Sequence, residues 1–296
     1  MTRILVAGLA TIDFLFHVEA MPQRAQKYRA TDALMTGGGG AANAAVAIAR
    51  LGGAASLVAG IGEDRVGDMI LADLGAEGVD TALVWRRAAG RSAFSSVLID
   101  ARGERRIVNF RGSGEDALPD PDCAPPVDAV LTDTRFPALT RAALRLAKAR
   151  GVPGIVDGEH PVDLADVAEA SHIAFSAQGL MGLTESSDLP RALEAVAAQI
   201  GSWLCVTDGA GGVLSRSDGA VPVPPVEAVD TLGAGDVWHG AFALRLAEGA
   251  DERTAMIFAN AAASLKCTRS GGRVSYPVRA EAEAFQARGE PLAKMR

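Results

Sequence analysis

Hydrophobic positions along the chain fall into short continuous runs separated by amphipathic stretches. RILVAG (3–8) and ASLVAGIG (55–62) are apolar without alternation, the pattern of strands buried on both faces. Between them, GGGGAANAAVAIARLGG (37–53) reads as a glycine loop opening an Ala-rich helix, stopped by Gly52-Gly53. DRVGDMILADLGAEG (64–78) has apolar residues at helical spacing. Residues 13–19 and 27–36, around the loop at Pro22, predict short half-exposed strands; 92–100 and 105–110, joined by ARGE, predict a hairpin. After a Pro- and Asp-rich loop (113–126), strand and helix alternate: 127–133 then 137–150, 152–157 then 161–170, 171–175 then 188–200. WLCVTDG (203–209), a hairpin through Ser217-Asp218-Gly219, and helices over 233–248 and 251–267 complete the series. Such alternation predicts an α/β fold with a doubly wound, mainly parallel sheet and helices on both faces. The strands within about 11–36 and 91–112 interrupt it and predict a small separate sheet. No linker divides the chain, so 1–296 reads as a single domain.

Composition narrows the function. Hydrophobic residues make up 49% and aromatics only 5%, which suits helices packed on a buried sheet. A net charge of −7 argues against nucleic-acid binding, which needs a basic face. Cys123, Cys205 and Cys267 are odd in number and widely spaced, forming neither a disulfide framework nor a zinc pattern. The first apolar run is short and interrupted at Asp13, and no stretch approaches the ~20 apolar residues of a membrane span. A soluble, cytoplasmic protein with no membrane partner is expected.

The stretch VDTLGAGDVWHGAF (229–242) carries the sharpest chemical signal. Gly233-Ala234-Gly235 makes a turn at a helix start, where unpaired N–H groups and the positive dipole end attract an anion. Asp236 puts a carboxylate at the exit of that turn; as a bland alternative it merely complements the helix dipole. In an open α/β sheet, ligands sit beyond the carboxyl ends of the strands. Asp13, Arg135, Asp157, Thr207-Asp208-Gly209 and Asp236 all fall there. Gly37-Gly38-Gly39-Gly40-Ala41-Ala42 also satisfies the dinucleotide fingerprint G-x-G-x-x-A, with Glu63 and Asp64 beyond it. That reading leaves 229–242 unexplained. GxxxxGK[ST] is absent, so any nucleotide is held by backbone amides and helix ends. His239 could face Asp236 across one turn or simply pack; His17, His160 and His172 make no metal spacing, and Trp203 and Trp238 suit the core.

The pair GGGGAANAAVAIARLGG…GIGEDRVGD and DTLGAGDVWHGAF resembles the two signatures of the ribokinase-like (PfkB) sugar kinases, in the usual order and with the resemblance spanning the whole chain. It implies an α/β core with a β-lid, ATP with Mg²⁺ (a monovalent cation being left open), and γ-phosphoryl transfer to a sugar hydroxyl. By the same resemblance Asp236 is the base, and Gly233, Ala234 and Gly235 form the anion hole. Asp13, Gly38, Gly39 and Asn43 would contact the sugar. Ser176, Thr207, Gly209 and Gly212 would line the nucleotide, and Asn260 and Ala263 would flank adenine. The family's N-x-x-E is replaced by FSAQGL, with Ser176 and Gly179, as in ketohexokinase-like members. Asp157 and Glu159 then become candidates to hold Mg²⁺ through water, or to cap the following turn. The resemblance also implies a homodimer joined through the lid.

TLGAGD, the arginine after VLTDT and LKCTRSGGR resemble the ketohexokinase-like branch, and within it the bacterial 6-deoxy-6-sulfofructose kinases. Lys27, Asn109 and Arg135 match the positions that hold the sulfonate there, which suggests a tetrahedral-anion clamp and transfer to C1 of an anionic hexulose. The alternatives are solvated lid residues with Arg135 paired to Asp133 or Asp157, and a neutral fructose or a sugar phosphate as substrate. A non-catalytic sugar- or nucleotide-binding regulator is the rival of a different class.

Overall fold

The computed structural model describes residues 1–114 and 120–293. Ile4 and Val6 of β1 (Arg3–Ala7) face one helical layer and Leu5 and Ala7 the other, which explains the unbroken apolar run. A loop leads to β2 (Thr11–Val18), β3 (Asp32–Gly38), α1 (Gly40–Arg50), β4 (Ala54–Gly62), α2 (Arg65–Ala76) and β5 (Val84–Arg87). β6 (Ala93–Asp100) and β7 (Arg105–Phe110) form the expected hairpin. Then come β8 (Ala129–Thr132), α3 (Pro137–Arg150), β9 (Gly154–Gly158), β10 (His172–Ser176), α4 (Ala177–Thr184), α5 (Leu189–Ala197) and β11 (Trp203–Thr207). β12 (Val213–Ser215), β13 (Gly219–Val221), α6 (Ala234–Ala247), α7 (Glu252–Cys267) and α8 (Arg279–Ala293) end the order.

Among the described residues nine strands form the main sheet, in the order β13-β12-β11-β10-β9-β8-β1-β4-β5. All its pairings are parallel except β11–β12 and β12–β13. A second sheet, β3-β2-β6-β7, makes the lid. One face of the main sheet packs on α1, α6 and α7; the other packs on α3, α4 and α5. α6 is buried almost all round between α1 and α7, and along it Trp238 and Phe242 stack with ring centroids 4.9 Å apart.

Three expectations change. Residues 161–170 form turns, not a helix, because the Asp163 carboxylate takes the Ala165 N–H at 2.9 Å and its carbonyl takes the Asp166 N–H. Residues 27–31 are not strand: the Tyr28 hydroxyl accepts the Gln23 and Arg24 N–H groups and folds the segment back as a loop. Gly37 and Gly38 end β3, so the glycine loop shrinks to Gly39, at φ 87°. β5 (VWRR) and the Glu- and Ala-rich α8 carried no strong periodic signal. Residues 115–119 of the Pro- and Asp-rich loop lie outside the described residues.

Candidate active site

The chain runs from β1 outward to β4 and β5 in one direction and from β8 to β13 in the other, so β1 and β8 flank the topological switch point where such sheets bind ligands. Gly8 and Leu9 leave β1 there, and Asp133 leaves β8. The Asp133 carboxylate accepts the Leu9 N–H at 2.8 Å and the Arg135 N–H at 3.0 Å, tying the two strand ends together. A Cβ at Gly8 would overlap that carboxylate. Above the crevice lies a cavity of about 410 Å³. Thr11, Asp13, Ser95, Arg105, Asn109 and Arg111 of the lid line its roof, and Gly39, Gly40, Asn43, Gly233, Gly235 and Asp236 its floor.

Gly233 caps α6 in the left-handed conformation, at φ 77°. Tyr276 fills the space beside it: a Cβ there would overlap the phenol oxygen. The Ala234 N–H reaches the Thr231 carbonyl, and that of Val237 reaches the Gly233 carbonyl. Helix geometry leaves the Gly235 and Asp236 N–H groups without an intrahelical partner. A Cβ at Gly235 would meet nothing within 4 Å, so this turn opens onto free space. The half-buried Asp236 carboxyl sits beside it. Burial, with the like charges of Asp157 and Glu159 added, pushes its pKa up to about 7, against the lowering hydrogen bond from Asn43. A carboxylate titrating there is suited to general-base work at neutral pH.

Asn43 reaches Asp236 from α1, its Nδ2 donating to Oδ2 at 2.6 Å. Its Oδ1 accepts from Nε of Arg273 at 2.9 Å. Arg273 is 3% exposed; it also donates to the Gly38 carbonyl at 3.0 Å and pairs with Asp73. A Cβ at Gly37 would overlap its guanidinium, and one at Gly38 would overlap the Asp13 carboxylate. The two glycines therefore let a cation and an anion close over the strand end. Burial raises the Asp13 pKa, partly offset by hydrogen bonds from Ser95 and Thr11.

Residues 1–279 match the family described as pfkB family carbohydrate kinase. The chain belongs to it. Its enzyme class is carbohydrate kinase, and its fold is ribokinase-like. A ribokinase of Bacillus subtilis is 30% identical over 294 residues, covering 96% of this chain and 99% of the relative. A crystal structure from Agrobacterium tumefaciens, of a protein provisionally described as a ribokinase, is 36% identical with a TM-score of 0.90, covering 97% and 98% of the two chains. A fructokinase from Xylella fastidiosa with bound ATP is 25% identical with a TM-score of 0.78, covering 97% and 99%. These relatives are ribokinases and a fructokinase rather than kinases of sulfonated sugars.

Against this PfkB frame, the structure brings Asp13, Gly39, Asn43, Asn109, Arg135, Asp157, Glu159, Gly233, Gly235 and Asp236 to one cavity, with Gly38 and Ala234 adjoining it in the chain. Lys27 is not among them: it is exposed in the loop before β3. Arg135 pairs with Glu159 and donates to the His160 carbonyl at 2.9 Å. The expected Lys27–Arg135 clamp is therefore not assembled within one chain, because one cation stands outside and the other already has a carboxylate. Ser176 and Thr207 are register partners at the ends of β10 and β11. The Ser176 hydroxyl caps α4, accepting the Gly179 N–H at 2.9 Å. A Cβ at Gly179 would overlap the Gly158 carbonyl, so a glutamate has no room in this packing. Gly209, at φ 49°, and Gly212, at φ 91°, shape the turn after β11; a Cβ on Gly212 would meet the Val221 carbonyl at 2.7 Å.

Asn260 needs correction. It is 1% exposed, accepts from Trp238 Nε1 at 2.8 Å and donates to the Val221 and Pro222 carbonyls at 3.3 and 3.1 Å. Its amide is used up in fixing β13 to α6 and α7, leaving half-buried Ala263 as the adenine-side candidate on that helix. His239 packs, as the blander alternative held. Its Nδ1 lies 2.8 Å from the Gly235 carbonyl and its Nε2 3.2 Å from that of Ala174. Burial lowers its pKa. Sequence reasoning missed Arg273, and it missed that Arg105 and Arg111 line the cavity. For Arg273 the one local signal is Gly271-Gly272, whose positive φ values of 116° and 63° make the turn that delivers it.

Proposed function

We propose that this carbohydrate kinase transfers the γ-phosphoryl group of ATP to a sugar hydroxyl, with Asp236 as the base and the N-terminus of α6 as the anion hole. The observation that carries the reading is the Asp236 carboxyl, its pKa pushed up to about 7 by burial, beside two helix N–H groups with no intrahelical partner at the edge of one cavity. Phosphoryl transfer is mainly positioning and charge stabilisation, so one aimed base and an amide-lined hole supply what the protein must add. Asp13 and Asn43 bind and orient the sugar. The turn after β11, with Thr207, Gly209 and Gly212, lines the nucleotide with backbone. The ATP-bound fructokinase relative supports the donor.

Mg²⁺ accompanies the nucleotide in this reading, where it would neutralise phosphate charge. Among the described residues no three His, Cys, Asp or Glu side chains group to ligate a metal directly. Asp157 nevertheless fits a water-mediated role: it is 7% exposed and its Oδ1 has no hydrogen-bond partner among the described residues. Glu159 is held by Arg135 and helps only through its charge.

The acceptor we favour is a neutral ribose or ketohexose, because the two-cation clamp is not formed. An anionic hexulose such as 6-deoxy-6-sulfofructose, phosphorylated at C1, remains as a second reading because Arg105, Asn109, Arg111 and Arg135 all line the cavity. Coupled ADP release with ribose, fructose, fructose 6-phosphate and 6-deoxy-6-sulfofructose separates them: the highest kcat/KM names the class. No turnover with any sugar would leave a binding regulator. We also infer pairing of two chains through the lid, supported by Met35, Ile107 and Val108, which are 54%, 54% and 74% exposed on its outer strands. A monomer in sedimentation would refute it.

A further inference from the structure

Arg273 and Asp236 do not touch; Asn43 stands between them. An arginine carries donors only, so the Asn43 amide must turn its oxygen toward the guanidinium. The Asn43 NH₂ is then left on the far side, where it donates to Asp236. Without Arg273 the amide could turn over and present its oxygen to the carboxylate, which is repulsive. The guanidinium is itself fixed from three elements: Asp73 on α2, the Gly38 carbonyl at the end of β3 and Asn43 on α1. Gly37 leaves the room it needs.

Of the other groups around Asp236, Asp157 and Glu159 oppose its ionisation and His239 favours it, while Arg105 from β7, Arg111 just after it and Arg135 after β8 line the same cavity. Asp157 and Glu159 at the end of β9 carry like charge, and Asp157 lies over Gly40 together with Asp133 and Asp236 itself. Asp13 faces from β2. Burial lowers the pKa of His239, on the same helix, and raises that of Tyr276 beside Gly233. Asn43 is the side-chain donor on the carboxylate.

We propose that Arg273 is a positioning residue for phosphoryl transfer: it fixes the Asn43 amide so that a donor stays aimed at the Asp236 carboxylate. The proposal rests on Asp236 being the base. Removing the donor destabilises the charged form, so the base takes up its proton at higher pH.

The test is the pH profile of sugar kcat/KM for Arg273→Met, Asn43→Ala and the double variant. Arg273→Met should move the acid limb up by about one pH unit, a roughly tenfold loss below the limb that is recovered at high pH. Asn43→Ala should move it similarly, and Arg273→Met in that background should move it no further, since coupled residues are non-additive. A merely structural arginine would lower activity equally at every pH and add to Asn43→Ala; either result overturns the proposal. Should Arg273→Met fail to fold, Arg273→Lys serves, because one ammonium cannot hold Asp73, Gly38 and Asn43 together. An unmoved limb in the folded Lys variant also overturns it. Asp236→Asn distinguishes the premise: if it stays active the base assignment fails, whereas if it is dead and the Arg273 limb is unmoved only the relay fails.

Discussion

Replacing Asp236 with asparagine should make the protein both inactive and more stable at alkaline pH. The carboxyl ordinarily titrates at 3.8 and is pushed up to about 7 in the fold. An acid whose folded value lies above its unfolded one holds its proton in the native state after the unfolded chain has lost it. Its contribution is therefore most favourable below 3.8 and is lost as pH rises through 7. A rise of about three units sets a ceiling of about 4 kcal/mol at pH 8. The carboxyl is only half-buried and opens onto the cavity, so about half of that, ~2 kcal/mol, is the realistic size. Asparagine keeps the shape, still accepts from Asn43 and carries no charge. Urea unfolding should find the variant about 2 kcal/mol more stable at pH 8, with the gap closing as pH falls toward 4. Turnover should fall by roughly 10² to 10⁴, the usual cost of losing a general base. Turnover within a few-fold of wild type would remove Asp236 from the chemistry. A stability gap independent of pH would show that the carboxyl is not perturbed.

Gly235→Val should fold with an unchanged thermal midpoint, because its Cβ meets open space, yet lose phosphoryl transfer by filling the hole; normal kcat in the folded variant would refute the anion hole. Gly233→Ala should instead lose about 1–3 kcal/mol, combining a left-handed backbone with overlap on Tyr276, and a calorimetric midpoint equal to wild type would contradict that packing. Arg135→Met should leave kcat/KM for ribose and fructose within about threefold, since its guanidinium is already paired with Glu159; a tenfold or larger loss confined to sulfonated or phosphorylated ketoses would favour the anionic acceptor.

The fold was readable in the sequence where burial imposes a simple pattern. β1 has helices on both sides, so every residue from Ile4 to Ala7 is apolar. The lid hairpin shows through its turn, ARGE, and its β-rich flanks. Failures fall where local chemistry outcompetes periodicity. Asp163 captures its own backbone and cancels the helix over 161–170; Tyr28 does the same to the strand expected before Asp32. Neither partner is encoded in a repeat, only in which side chain happens to reach a nearby N–H.

The cavity divides along a similar line. Its backbone devices, Gly39, Gly233 and Gly235, are contiguous in the chain with the helices they open, so short motifs reveal them. Its electrostatic devices are not contiguous. Arg273 acts 230 residues from Asn43, and Asp133 joins strands 124 residues apart. Each is a single charged residue whose neighbours say nothing about its partner. Such residues become visible only when the sheet order places β1 beside β8 and the C-terminal turn lies over the end of β3. Lys27 shows the same separation: it stands near a lid strand, yet in the Tyr28 loop it is exposed and does not line the cavity of its own chain. Charge at a sequence position predicts chemistry only after the backbone has settled which face it joins.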